Sequence, residues 1–171
     1  MSESKVTGRK KSCNKRVPID SLKAQPMDEL FISGIHADQI GVVRNKALIN
    51  QHPMSLIMFG VKNGATNFFT NEDRHCYPEP LEGQLCVCPE EYIPKVERAF
   101  SKEKAVLFGF THIGEKPGKE ALTAEEVRFM ENLGIKNKHD VYALLITGDK
   151  EIGLKYSFEA GEIYTLRSTV I

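Results

Sequence analysis

His112 ends an apolar run, Ala105 to Thr111. A loop of glycine, proline and lysine (GEKPGKE) follows, and then Thr123-Ala-Glu-Glu126. An imidazole delivered to the end of a strand can ligate a metal or transfer a proton. It can also be a polar terminus that donates to a loop carbonyl. Thr123 and Glu126 have the T-x-x-E spacing of a capping box, in which each side chain serves the other's backbone N–H at a helix start. A second group, His75, Cys76, Cys86 and Cys88, holds the ligand types that zinc prefers. In one strand, however, Cys86 and Cys88 would sit about 7 Å apart along the chain, too far for one tetrahedral ion unless the strand bends. The competing reading is cysteine as a small buried apolar residue. A nucleophilic Cys76 paired with His75 is disfavoured because neighbouring strand residues face opposite ways. Three other chemistries lack their motifs: H-x-E with P-C-x-x-C for nucleobase deamination, G-x-x-x-x-G-K-[ST] for phosphate binding, and G-x-S-x-G for a nucleophile elbow. In the loop itself, Lys116 and Lys119 read as solvated surface.

The elements that must position these residues follow from periodicity and punctuation. A short strand or turn near 29–33 precedes a helix over about 37–50, which His52-Pro53 ends. MSLIMFGV reads as a buried strand, and Asn63-Gly64 as a hairpin turn joining strands at about 55–61 and 66–70. TNEDRHCYPEPLEG reads as a loop and QLCVC as a short strand. Pro89, Glu90 and Glu91 suit the first turn of a second helix. AVLFGFTH is a further buried strand. The third helix starts at Thr123 and stops at Gly134, and DVYALLIT, GLKYSFE and IYTLRSTV are strands. This order predicts an α+β (mixed α/β) fold, a mixed sheet with about three helices.

At 171 residues, 41% hydrophobic and 27% charged, the chain reads as one globular domain over 27–171 behind a basic, disordered tail over 1–26. The net charge is zero but unevenly spread. Residues 1–16 hold six basic residues against Glu3, a net +5. The remainder holds seventeen basic against twenty-two acidic residues, a net −5. Arg9, Lys10, Lys11, Lys15 and Arg16 therefore form an arm able to contact nucleic acid or an acidic partner by counterion release. The plainer alternative is a solubilising leader. With no apolar run long enough to cross a bilayer and no secretory h-region, the expected setting is cytoplasmic, nuclear or virus-internal, without membrane contact, secretion or disulfides.

Element order and GFTHIGEKP (Gly109 to Pro117) with TAEE (Thr123 to Glu126) resemble the JAB/MPN (JAMM) domain of zinc isopeptidases and their inactive scaffold relatives. There, a strand ends in H-x-H-P and a helix begins with S-x-x-D. His112 matches the first histidine, Gly114 stands at the second, Thr123 replaces the serine and Glu126 the aspartate. No glutamate occupies the place of the upstream general base in NQHPMSLIMFG. A catalytic zinc needs three protein ligands and an open position, and its water needs a base. The resemblance thus implies a pseudoenzyme: a non-catalytic scaffold or assembly subunit engaged in protein–protein interaction, its basic arm on an acidic or nucleic-acid partner. Two alternatives stand beside it. One is a zinc-dependent, isopeptidase-like hydrolase using His112 and Glu126 with a third ligand from His36, His52 or His75. The other is a nucleic-acid-binding protein.

Overall fold

The computed structural model describes residues 16–51, 54–63, 66–77 and 93–170. It is an α+β fold with three helices and a mixed sheet. The strands are β1 (Val17–Pro18), β2 (Lys23–Ile32), β3 (Ser55–Asn63), β4 (Thr66–Tyr77), β5 (Lys104–Thr111), β6 (Ala121–Leu122), β7 (Val141–Ile146), β8 (Glu151–Ser157) and β9 (Glu162–Val170). The helices are α1 (Gly34–Asn50), α2 (Ile93–Ser101) and α3 (Ala124–Asn137), with a 3-10 turn at Ile19–Ser21. Seven strands close into a barrel in the order β2-β4-β3-β5-β7-β8-β9, and β1 and β6 form a separate pair. Closure rests on β2, which runs parallel to both β4 and β9. A closed sheet leaves no row of unpaired backbone groups along an edge.

The continuous apolar runs are explained by burial on both sides. Alternate residues of β3, β5 and β7 feed two cores. The inner core takes Leu56 and Met58, Ala105 and Leu107, and Tyr142 and Leu144, with Leu30 and Ile32 of β2, Leu166 of β9, and Ile40 and Val43 of α1. The outer core takes Ile57, Phe108, Phe110, Ala143 and Leu145, covered by Val96 and Phe100 of α2 and Met130 and Leu133 of α3. Removing such a side chain from water contributes about 1.5–3 kcal/mol. Gly109 belongs to the inner face. A Cβ there would lie 3.1 Å from both Ile146 and Leu56. Its smallness is a packing requirement between strands.

Several sequence expectations are corrected. Residues 17–26 belong to the fold rather than to a tail. Val17 and Pro18 pair with Leu122 and Ala121. Pro26 does not stop β2, because it falls in the irregularity between Ala24 and Glu29, where the ladder to β9 skips and no N–H is needed. Residues 1–15 lie outside the described residues. The first helix begins at Gly34, three residues earlier than expected. The hairpin between β3 and β4 forms as expected, but Asn63, read as a turn residue, is still in β3 opposite Thr66, and β4 runs on to Tyr77 through residues read as loop. QLCVC and the Pro89 helix start lie outside the described residues. Gly134 does not end α3, which continues to Asn137 and stops at Lys138 in the left-handed conformation (φ 51°). Gly134 is small for another reason: a Cβ there would lie 2.5 Å from the ring of Tyr156. The helix backbone packs directly on that ring.

Candidate functional site

β5 and β7 run parallel, and the backbone N–H of His112 extends their pairing by donating to Ile146 O at 2.8 Å. This fixes the direction from which the imidazole leaves the sheet. α3 starts opposite, at Thr123, and the capping box is complete: Thr123 N–H donates to Glu126 Oε1 at 2.8 Å, and Glu126 N–H donates to Thr123 Oγ1 at 3.1 Å. The second oxygen of Glu126 is thereby aimed at the strand end. His112 Nε2 lies 2.7 Å from it, within hydrogen-bond distance. The sequence offered cap and metal ligand as readings of Glu126; the carboxylate makes the cap and turns its other oxygen to His112.

The other side of the ring is occupied too. His112 Nδ1 lies 2.8 Å from Glu115 Oε1, in the same loop. Arg16 pairs with Glu115, donates from Nη2 to Ala121 O at 2.7 Å, and brings Nη2 to 3.2 Å from His112 Nδ1, so that guanidinium and imidazole meet at the same Glu115 oxygen. The result is a connected cluster of guanidinium, carboxylate, imidazole and carboxylate. It ties together the entry of the polypeptide at β1, the loop after β5 and the first turn of α3. The side chains of His112, Glu115 and Glu126 are only 10%, 9% and 2% exposed, whereas that of Arg16 is 44% exposed.

Burial by itself would lower the His112 pKa, since it penalises the imidazolium. The hydrogen bonds and charges of Glu126, then Glu115, outweigh it and hold His112 above its ordinary value. For Glu115, burial pushes upward, but Arg16 and His112 outweigh it and hold the carboxyl below its ordinary range. A raised histidine contributes stability that is complete below the unfolded value of about 6.5 and is lost as pH rises through the folded value. A lowered glutamate contributes stability that is complete above about 4.3 and is lost as pH falls through its folded value. The chain therefore contributes most between about pH 4.3 and 6.5. Chemical denaturation from pH 4 to 9 is expected to show stability falling through the His112 titration above that window, and His112→Gln is expected to remove this fall.

Of the remaining candidates, His75 and Cys76 are not brought here. His75 and Cys76 lie on β4, opposite Ile57 and Leu56. Ile57 in turn pairs with Phe108, four residues before His112. His75 is therefore about 10 Å across the sheet and about 13 Å along it from His112. His36 lies in α1; His52, Cys86 and Cys88 lie outside the described residues, as do Arg9, Lys10, Lys11 and Lys15. Arg16, expected to be a free arm residue, is the anchor of the chain of charges. For His112, a bond to a loop carbonyl is replaced by two carboxylates. Glu115 was missed as a site residue, and Arg16 was read as a partner-binding residue of the arm rather than as part of this cluster. The signal for Glu115 was its i+3 spacing from His112 in a loop that turns back; Arg16 carried no local signal.

The two ring nitrogens point in different directions, so His112, Glu115 and Glu126 cannot converge on one ion. On the Nε2 side stands one carboxylate, and half of it is used in the cap. Zinc sites take three or four protein ligands. Among the described residues no group of three His, Cys, Asp or Glu side chains could hold a metal ion.

Comparison with known proteins adds the fold. No family model matches the chain, and no curated protein matches it. Solved structures do match. One is the solution structure of protein DSY2949 from Desulfitobacterium hafniense, with a TM-score of 0.52 and 12% identity. The match covers 83% of this chain and 92% of that one. At that identity the likeness concerns the fold alone. Among the described residues no helix is long and apolar enough to cross a membrane.

Proposed function

We propose that the chain is a non-catalytic, JAB/MPN-like scaffold or assembly domain, whose basic arm contacts an acidic or nucleic-acid partner. The observation that carries this reading is the double engagement of His112: both ring nitrogens face carboxylate oxygens, at 2.7 and 2.8 Å. The one motif that pointed to hydrolysis is used to close the structure. When the ring is protonated, both N–H groups are committed to these oxygens and no lone pair is left for a metal or for a general base. The metallo-hydrolase reading would need that pair broken and further ligands brought from outside the described residues.

The arm leaves the fold at a fixed point. Arg16 is held by Glu115 and Ala121 O, and Val17 by β6. Five basic residues, Lys5, Arg9, Lys10, Lys11 and Lys15, precede that point in the sequence. Binding of a fluorescent oligouridylate is the test. The full chain is expected to bind with a log–log salt slope steeper by about 3 to 4 than a variant lacking residues 1–15, at about 0.7 per phosphate contact on a single strand. The deletion stops before Arg16, so the fold keeps its anchor. Equal slopes for the two proteins would remove the arm from the account, and binding of neither would favour an acidic protein partner.

A further inference from the structure

The segment that follows Arg16 walls a groove of about 280 Å³ between the chain entry, the first half of α3 and the β8–β9 hairpin. Its apolar lining includes Val17, Val127, Tyr156 and Ile163. Its polar lining is Ser21, Glu131 and Glu162 with a single ammonium, Lys23. The walls are fixed before anything binds. Val17 is held in the β1–β6 pair, Tyr156 is 3% exposed, and Tyr164 Oη donates to Glu162 Oε2 at 3.1 Å, which orients that carboxylate. A preformed site loses little freedom on occupation.

Size and chemistry narrow the occupant. A volume near the lower end of the usual range for ligand sites accepts one or two side chains. Two carboxylates in the lining against one ammonium disfavour a phosphate and favour a cation beside the apolar group. We propose that this groove docks a stretch of a partner polypeptide in which an apolar side chain is flanked by basic residues. The proposal rests on the assembly reading above and gives that reading a place and a partner chemistry.

The probe is acetyl-Arg-Leu-Arg-amide, titrated into the full chain and followed by two-dimensional NMR. Saturable shifts centred on Val127 and Ile163 are expected, absent with acetyl-Glu-Leu-Glu-amide. Glu131→Gln is expected to weaken binding about threefold, the size of one exposed charge pair. Val127→Trp, which fills the floor, is expected to abolish it while the amide spectrum elsewhere is retained. If Val127→Trp disturbs the fold, the Glu131→Gln shift decides alone. No saturable shift, equal binding of the acidic peptide, or unchanged affinity in Glu131→Gln would each overturn the proposal. Tighter binding after removal of residues 1–15 would also overturn it, since the groove would then be covered by the chain's own arm. The oligouridylate result is independent of all these outcomes, so failure here leaves the arm reading standing or falling on its own test.

Discussion

Glu126→Ala is expected to cost about 3–5 kcal/mol of unfolding free energy, the usual loss when one member of a buried pair is removed and its partner charge stays behind. The loss has two sources that a second variant separates. Alanine removes the acceptor that serves Thr123 N–H, a cap worth about 1 kcal/mol, and it leaves His112 Nε2 without its carboxylate partner. Glu126→Gln keeps an oxygen for Thr123 but presents an amide N–H toward His112, so the ring must accept there and becomes neutral. That variant is expected to be intermediate in stability and to move the His112 titration downward. Denaturant unfolding gives the energies and histidine-ring NMR gives the titration. If both variants unfold like the parent, the chain of charges contributes nothing to stability.

A comparable loss is expected at the barrel seam. Lys155 on β8 directs Nζ to Asp28 Oδ2 at 2.5 Å, with Asp140 Oδ2 at 3.7 Å and the Tyr142 ring centroid at 5.8 Å. The two main side chains are 12% and 4% exposed. Asp28 sits where the β2–β9 ladder skips between Ala24 and Glu29, so the ion pair reaches from β2 to β8 at the place where backbone pairing is interrupted. Lys155→Met leaves two carboxylates at the site without their ammonium and is expected to lose about 3–5 kcal/mol. Adding Asp28→Asn to it is expected to recover a large part of that loss, because a buried pair replaced on both sides is often near neutral. A double variant no more stable than Lys155→Met would show that the pair does not act as a unit.

What the sequence disclosed and what it withheld divide along physical lines. β3, β5 and β7 were legible because burial on both faces leaves unbroken apolar runs, and the capping box was legible because its chemistry is local. The length of β4 was not, since strand residues such as Asn71 to Arg74 are polar and carry the signature of a loop. Closure into a barrel was not, because β2 pairs with strands far along the chain and the pairing leaves no mark in either segment alone. The site followed the same rule. His112, Thr123 and Glu126 stood out by spacing. The identity of their fourth partner, Arg16, depends on an entry strand ninety-six residues before His112. Gly134 was misassigned as a stop because the demand for a small residue comes from Tyr156, across the fold.

The central claim is that His112 is held as a doubly donating imidazolium and is therefore structural. Nitrogen-15 NMR of the His112 ring near pH 6, before and after one equivalent of zinc, tests it most directly. Two protonated ring nitrogens, unmoved by the metal, are predicted. A single non-protonated nitrogen that shifts on stoichiometric zinc binding would contradict the account and restore the hydrolase reading.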